Sequence, residues 1–434
     1  MSSRFSGFAF VLTLAVLSTA GAFRAAATPA AEGASARRPR PVGATIPNER
    51  RYPARRFRPL DVRTSSRTFR GFSFDGHVHT AYSHDARHPV PDVLALAERV
   101  GLDAVMITDH GSSSAGQDVA TYEGPLSVIV GAEIGGTYGH ALTWRFLDAI
   151  GLRRSLDERT MTMRQLGDYV HERGALVVLA HPGWWIPGNF VDPRYFMQQD
   201  VIRRGGAGDA IDAVEVWNGT YPLRTASLVD QWVSLLERSI YVPAVGGSDF
   251  HEFGGTELGE PRNVVLCEVD EGGRPKEPLA ACIFEAARTG RLYVTDGPSI
   301  ELTVGDRVSG EILRTTSGAR LDVHVRVDAP DGGVFSLYLG REPVQRLTLA
   351  AGQPLDRHFE VRAPSADSFV WADVERPARI EKKPMRALLA NPVRIDVGPE
   401  VADWRGPAVT EPPRRPPPEF TRAGRGVRPR QSRP

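Results

Sequence analysis

The sequence predicts an α/β fold in which a parallel barrel of strands and helices is followed by a small all-β domain. Two observations support this prediction. In residues 71–298, short apolar runs alternate with amphipathic stretches of helical spacing, a pattern typical of a parallel sheet with crossover helices. After about residue 300, alternating strand patterns separated by Gly, Pro and Asp follow one another without helical signals, which favours a β-sandwich.

The elements follow from these patterns in chain order. Seven runs are predicted as barrel strands: 73–79, 104–108, 126–132, 140–146, 175–180, 213–217 and 241–246. Three amphipathic stretches are predicted as helices: 93–100, 163–173 and 226–240. Residues 284–291 connect the barrel to six predicted strands of the β domain, residues 299–404: 299–304, 320–327, 333–339, 357–361, 368–374 and 392–397.

Composition excludes several classes of protein. The chain has 434 residues, 41% of them hydrophobic and 24% charged, with two cysteines, so it is not a disordered chain, a disulfide-stapled mini-protein or a multi-span membrane protein. Residues 1–22 combine a short cationic start, an apolar run and an Ala20-x-Ala22 end, the form of a cleavable signal peptide. We expect export to the periplasm or beyond and no membrane span after cleavage; the alternative is an uncleaved anchor.

Basic segments flank an acidic body. Residues 36–70 hold 11 arginines against two acidic residues, and residues 405–434 hold eight against two. The linker 23–70 and the tail 405–434 are therefore predicted to be disordered, because neither has an apolar pattern that could form a core. These segments lack the interleaved aromatic platform on which single strands stack, so no nucleic-acid partner is implied. Cys267 and Cys282 lie in apolar patterns typical of a core, although export would allow a disulfide.

Residues capable of metal binding gather where the predicted strands end. His77 and His79 are two residues apart in a strand, so both project to one face. Four further histidines fall at the ends of other strands, with Glu133 and Asp249 beside them: His110, His140, His181 and His251. Because strand ends of a barrel face one mouth, these side chains can converge. Imidazole and carboxylate suit zinc, manganese or iron.

Five motifs in this order resemble those of the PHP (polymerase and histidinol phosphatase) superfamily. They are Asp75-Gly-His-Val-His-Thr80, Ile107-Thr-Asp-His110, Gly131-Ala-Glu133, Ala180-His-Pro182 and Gly247-Ser-Asp-Phe-His251. The resemblance covers residues 72–298. Residues 290–298 and the β-rich tail resemble the branch that includes the carbaryl-hydrolase-like metallohydrolases.

The resemblance implies a distorted barrel of seven β/α units with two or three divalent metal ions at its mouth. By this resemblance, His77, His79, Glu133 and Asp249 would hold one ion, and Glu133 would bridge to a second ion held by His140 and His181. A third ion would use His84, His110 and His251. The segment Ser83-His84-Asp85 leaves His84 and Asp85 as alternative ligands.

The residues predict metal-dependent hydrolysis of a small-molecule ester with a metal-bridging hydroxide as nucleophile, and the superfamily resemblance implies that the ester is a phosphoester. Asp249, or Asp109, would accept the proton and His251 would protonate the leaving group. Asn218 and Arg262 would orient substrate, unless they serve only as loop structure and a solvated charge.

Two alternatives remain open. The first is a carboxylester or carbamate hydrolase with the same ions, in which Trp184-Trp185-Ile186 would line an apolar pocket. The second is a secreted binding module with a vestigial barrel.

Overall fold

The computed structural model describes residues 57–182, 210–219, 222–253, 255–377 and 384–398. The predicted signal peptide, most of the predicted linker, the basic tail and Trp184-Trp185-Ile186 lie outside the described residues. Part of the segment predicted as a disordered linker is ordered, which corrects the prediction for residues 57–70. The sequence did not reveal this, because the apolar residues there stand among arginines. Val62 and Phe69 are fully buried there, and Arg67 forms an ion pair with Glu311.

The described chain is a mixed α/β fold with many strands and few helices. Its strands are β1 (Val62–Arg63), β2 (Thr68–Val78), β3 (Ala104–Ile107), β4 (Ser127–Val130), β5 (Ala132–Gly136), β6 (Gly139–Trp144), β7 (Leu176–Leu179), β8 (Ala213–Asn218), β9 (Ala244–Gly247), β10 (Arg262–Glu268), β11 (Leu292–Thr295), β12 (Ser299–Val304), β13 (Arg307–Val308), β14 (Ile312–Thr315), β15 (Arg320–Asp328), β16 (Gly333–Leu339), β17 (Glu342–Leu349), β18 (Leu355–Arg362), β19 (Ser368–Pro377), β20 (Pro384–Ala390) and β21 (Val393–Val397). Its helices are α1 (Val90–Arg99), α2 (Gly116–Val119), α3 (Ala149–Ser155), α4 (Met163–His171), α5 (Pro222–Leu236) and α6 (Leu279–Thr289).

These strands form three sheets. The largest has the order β14-β21-β19-β20-β11-β10-β2-β3-β4, with β1 paired to β2, β16 to β19 and β17 to β16. The second has the order β5-β6-β7-β8-β9, and the third β13-β12-β15-β18. A strand lies at each of the seven positions predicted for the barrel, and helices lie at the three predicted stretches.

The regular alternation predicted for a parallel β/α barrel is not what forms. Strands β2, β3 and β4 are parallel to one another, as are β7, β8 and β9. However, β6 is antiparallel to both β5 and β7. The connection from β5 to β6 is a tight turn between Gly136 and Gly139, which is too short for the crossover that parallel strands require.

Backbone contacts join the first two sheets at two places next to the predicted metal ligands. One is an isolated bridge between His110 and Glu133. At the other, the Asp249 amide donates to the His77 carbonyl at 2.9 Å, and the His79 amide donates to the Phe250 carbonyl at 2.9 Å. The backbone therefore brings the ends of β2, β3, β5 and β9 together.

Helices cover these sheets with apolar faces that the sequence pattern specifies. Helix α1 begins after Pro89 and buries Val93, Leu94 and Ala97. Helix α4 begins with a capping box between Thr162 and Gln165, which satisfies two amides of its first turn. A disulfide joins Cys267 of β10 to Cys282 of α6, and both residues are fully buried. The two cysteines are thus core residues, as their apolar patterns predict, and they also form the disulfide that export would allow.

Beyond β11, the described residues contain strands and no helix. Side chains from the third sheet and from β16, β19, β20 and β21 share one hydrophobic core, an arrangement compatible with the predicted sandwich. Strand β20 pairs with β11, so the large sheet continues across the predicted boundary at residues 298–299. Among the helices of the described chain, none has the length and hydrophobicity needed to cross a bilayer.

Candidate metal centre

Four elements present the central ligands at one point. His77 lies in β2 and His79 follows it, Glu133 lies in β5, and Asp249 comes two residues after β9. Both histidines and Glu133 are almost completely buried. The backbone of Asp249 has a φ of 52°, a left-handed conformation uncommon for a residue other than glycine. Such strain is concentrated at functional sites.

We call His77, His79, Glu133 and Asp249 the inner cluster. The Nε2 atoms of the two histidines lie 3.0 Å apart. Glu133 Oε2 is 3.2 Å from each of them, and Asp249 Oδ1 is 3.3 Å from each. Ligands bound tetrahedrally at the usual zinc distances are about 3.3 Å apart. The distances from the two histidines to each other and to both carboxylates are therefore those expected of ligands that share one ion.

The outer nitrogen of each inner histidine is already engaged. His77 Nδ1 lies 3.1 Å from Glu215 Oε1, and His79 Nδ1 lies 3.0 Å from Ser83 Oγ. A carboxylate only accepts, so His77 donates from Nδ1, and its Nε2 faces Glu133 and Asp249. In addition, Asp249 Oδ1 is buried without a well-formed hydrogen bond. These acceptors need protons or a cation between them.

The other carboxylate oxygen of Glu133 faces a second group, made with His140 and His181. Glu133 Oε1 is 2.7 Å from His140 Nδ1 and 2.9 Å from His181 Nε2. His181 also has a positive φ, 24°. Glu133 thus directs one oxygen to the inner cluster and one to this second group, as a bridging carboxylate between two ions would.

We call Asp85, His110 and His251 the outer cluster. Asp85 Oδ2 lies 3.1 Å from His110 Nε2 and 3.2 Å from His251 Nε2. Of the two alternatives in the Ser83–Asp85 segment, Asp85 is the one that joins this cluster. The side chain of His84 is 78% exposed, and its Nε2 is 4.0 Å from Asp85.

Protonation equilibria show what holds the inner cluster in the metal-free protein. Burial opposes a charge on His77, but Asp249, Glu215 and Glu133 outweigh it and hold its pKa well above the ordinary value. Burial likewise opposes charge on His79, yet contacts with Asp249 and Glu133 raise its pKa to about 9. Burial would raise the pKa of Glu133, but His77 and hydrogen bonds from neighbouring histidines hold it well below its usual range. Protons therefore occupy the place that a cation would take.

The outer cluster differs in this respect. Burial lowers the pKa of His110 to about 4, so its imidazole is neutral near pH 7. Burial opposes ionisation of Asp85, but the neighbouring His110 and His251 lower its pKa.

A cavity of about 330 Å³ opens over these groups. The described residues that line it are Asp85, His110, Glu133, His140, His181, Asp249, His251, Glu252, Gly255 and Thr256. Members of all three groups therefore line one cavity, the inner cluster through Glu133 and Asp249.

Three other predicted site residues have definite positions. Asp109 is buried next to His110, and both its carboxylate oxygens accept hydrogen bonds from Thr80, at 2.6 and 2.8 Å. Arg262 lies in β10, not in a loop, and donates to the carbonyls of Gly259 and Val100. Asn218 is near the ligands, since its Nδ2 is 3.3 Å from Asp249 Oδ2. Asp109 and Arg262 thus support the backbone, whereas Asn218 contacts a ligand.

Two residues beside the ligands were not among the predicted site residues. Glu215 is fully buried in β8. Its position within an otherwise apolar strand could have indicated a buried, paired carboxylate. Ser83 Oγ accepts a hydrogen bond from the His110 amide at 3.0 Å besides contacting His79. A serine in a turn carries no comparable signal.

Comparison with known proteins gives one match that bears on these residues. Residues 75–180 match the PHP domain family, and the matched segment contains His77, His79, His110, Glu133 and His140. The family and the clusters are compatible with a divalent metal centre and with a metal-dependent hydrolase. No curated protein matches the chain.

Two solved structures resemble parts of the chain weakly. The sulfur carrier protein SoxY from Chlorobium limicola is 16% identical, with 23% of this chain and 79% of that chain covered and a TM-score of 0.17. An engineered protein is 10% identical, with 69% of this chain and 49% of that chain covered and a TM-score of 0.16. Likenesses of this size carry no functional argument.

Proposed function

We propose that this chain is a PHP-superfamily hydrolase that uses two or three divalent ions, zinc, manganese or iron, to cleave phosphoesters of small molecules. The observation that carries the proposal is the inner cluster, in which the Nε2 atoms of two histidines lie 3.0 Å apart and each lies 3.2–3.3 Å from an oxygen of Glu133 and of Asp249. One ion would be held there, a second by Glu133, His140 and His181, and a third by the outer cluster.

Bound divalent ions would lower the pKa of a water molecule and polarise the ester oxygen. The protein's own residues would do the rest. Glu133 would fix the spacing of the first two ions, because its two oxygens face different groups. Asp249 would act as a ligand rather than as the proton acceptor, because Oδ1 faces the inner histidines and Oδ2 contacts Asn218.

His251 is the group suited to protonate the leaving group. Its Nδ1 donates to the Asp249 carbonyl at 2.9 Å, which fixes the ring while Nε2 lies at the cavity beside Asp85. Because Nε2 can hold either a proton or the third ion, this role belongs to the form of the enzyme with two ions. A protonated imidazole at that position would deliver its proton to the departing oxygen.

A carboxylester or carbamate hydrolase is the second candidate, and the charge of the cavity favours it. The described lining includes the carboxylates of Asp85, Glu133, Asp249 and Glu252 and no lysine or arginine. Phosphate recognition commonly uses arginine or lysine, so a neutral ester is also compatible with this lining. The proposed branch resemblance to carbaryl-hydrolase-like enzymes points in the same direction.

We also propose that the protein is exported. The amino-terminal pattern of residues 1–22 supports this, and so does the disulfide between Cys267 and Cys282, because such bonds persist mainly in oxidising compartments.

The test is metal content by mass spectrometry on protein purified without chelator, paired with hydrolysis of three substrates before and after chelation. The substrates are p-nitrophenyl phosphate, bis-p-nitrophenyl phosphate and 1-naphthyl acetate. We expect two or three ions per chain and phosphate turnover that chelation abolishes. Turnover of the naphthyl ester alone would favour the second candidate. A chain that binds no metal and gains no activity with zinc, manganese or iron would leave only the binding module.

A further inference from the structure

One buried carboxylate that the proposed chemistry does not use connects three ligand-bearing segments. Glu215 Oε1 accepts from His77 Nδ1 at 3.1 Å. Its other oxygen accepts from the His181 amide at 2.8 Å and from Asn218 Nδ2 at 3.2 Å. The same Asn218 nitrogen is 3.3 Å from Asp249 Oδ2. Glu215 and Asn218 lie three residues apart in β8 and contact segments that follow or end β2, β7 and β9.

We infer that Glu215, assisted by Asn218, is a positioning residue that sets the tautomer of His77 and the orientation of Asp249 and thereby determines affinity for the inner ion. This inference rests on the proposed metal centre. The geometry supports it at each contact. Because Nδ1 of His77 is bound to a carboxylate, it keeps its proton when an ion displaces the proton of Nε2, and the lone pair of Nε2 then faces the ion, as a metal-ligating histidine requires.

The site is also shaped for this contact. A Cβ atom at Gly247 would lie 2.3 Å from the Cβ of His77 and 2.6 Å from Glu215 Oε1. A side chain at that position would separate the two groups, so glycine leaves the space in which they meet. Glu215 itself is fully buried, and a buried carboxylate without a strong partner is costly. Its partners here are all donors next to proposed ligands.

The variant Glu215→Gln tests the inference because it keeps the size and removes one acceptor. Two donors, the His181 amide and Asn218, face the same oxygen of Glu215, so the amide oxygen of glutamine will turn to them. The new NH2 group will then face His77 Nδ1, which must become an acceptor and move its proton to Nε2. An N–H would point at the inner ion.

We expect zinc affinity for the tightest site to fall roughly 10- to 100-fold in Glu215→Gln, measured by competition with a chromophoric chelator. Ring nitrogen chemical shifts in the zinc-loaded protein should show the proton of His77 on Nδ1 in the native chain and not in the variant. Glu301→Gln is the matched control, because Glu301 is also a buried strand glutamate, 2% exposed, that accepts from Arg63 and Arg326. It should leave zinc affinity unchanged even if stability falls.

A second variant covers the case in which Glu215→Gln does not fold. Asn218→Ala removes the donor shared with Asp249 but keeps the Glu215 contact with His77, and zinc affinity should fall roughly 2- to 12-fold. Native zinc affinity in a folded Glu215→Gln protein would overturn the inference, as would native affinity in Asn218→Ala if the first variant is unfolded. A native chain that binds no zinc would instead refute the proposed function.

Discussion

The inner and outer clusters use the same kinds of side chain in different surroundings. His77 and His79 are completely buried, whereas His110, His251 and Asp85 have side chains 20%, 28% and 36% exposed. The inner histidines are each fixed at Nδ1 by Glu215 or Ser83. The outer cluster depends on Asp85, in a segment of turns between β2 and α1.

This difference indicates an order of metal affinity. Side chains held by neighbours lose little freedom when an ion binds, and a buried cluster of acceptors gains most from a cation. We therefore expect the inner ion to bind most tightly, the second ion, which shares Glu133, to follow, and the outer ion to dissociate first on dilution or chelation.

The change expected to have the largest effect is Glu133→Gln, because Glu133 is the proposed ligand shared by the inner cluster and the second group. Glu133 contacts the inner histidines through one oxygen and His140 and His181 through the other. Loss of a shared ligand should cost more than the roughly 10- to 100-fold typical of supporting residues, so turnover should fall by at least about 100-fold. Metal content by mass spectrometry should fall by more than one ion per chain, with circular dichroism as the check on folding. A variant that keeps all its ions would contradict the bridging role.

The next effect is a pH dependence that separates the clusters. In the metal-free protein the pKa of His79 is about 9 and that of His77 is well above its ordinary value, so both carry protons at pH 7. Metal must displace these protons, and affinity should fall about tenfold per pH unit for each proton as pH decreases. His110, with a pKa of about 4, has no proton to lose at pH 7. His110 should therefore not contribute to the pH dependence of the affinity for the outer ion.

Calorimetry in buffers of different ionisation enthalpy counts the protons directly. Between pH 6 and 8 we expect about two protons released with the first zinc ion. If no protons are released, the inner histidines are already neutral at this pH. The inner and outer clusters would then not differ in protonation.

Most of the candidate ligands could be predicted from the sequence, because histidines and carboxylates stand where the apolar patterns of the strands end. His77, His79, Glu133, His181 and Asp249 each follow or end an apolar run, and the structure brings them together. Strand patterns located the seven strands predicted before residue 250 and the six predicted after residue 298, since buried apolar runs are a strong local signal. They did not locate β1, β5, β10, β11, β13, β14, β17 or β20.

Other features depend on contacts that no local pattern specifies. His84 and Asp85 are neighbours, and only the turn that follows β2 decides which one faces His110. The sequence predicts that Arg262 orients substrate or is a solvated charge, but tertiary pairing places it buried in β10, where it donates to carbonyls. The β5–β6 hairpin replaces a crossover because residues 135–139 are glycine-rich and short. Tertiary contacts, not propensity, decide such cases.

A third prediction separates the two candidates in the outer cluster. Asp85→Asn removes the charge that lies 3.1 Å from His110 and 3.2 Å from His251. We expect affinity for the most weakly bound ion to fall roughly 10-fold or more, while the tightest site is unchanged. His84→Ala is the matched control, because His84 is largely exposed and its removal should change neither. The opposite outcome, with loss of an ion in His84→Ala alone, would restore His84 as the ligand.

The smallest effect should come from the residue that contacts both clusters. Ser83 Oγ is 3.0 Å from His79 Nδ1 and accepts from the His110 amide at 3.0 Å, and a hydrogen bond from Ser83 helps to lower the pKa of Asp85. Ser83→Ala removes these hydrogen bonds, and the absence of each should weaken metal binding by a factor of roughly 2 to 12. Affinities of the tightest and the weakest sites should both fall within that range. Titration with zinc and a competing chelator resolves the two sites, and Ser83→Thr, which keeps the hydroxyl, should recover part of the affinity. If Ser83→Ala weakens only one site, then the two clusters are independent, and their different affinities come from burial alone.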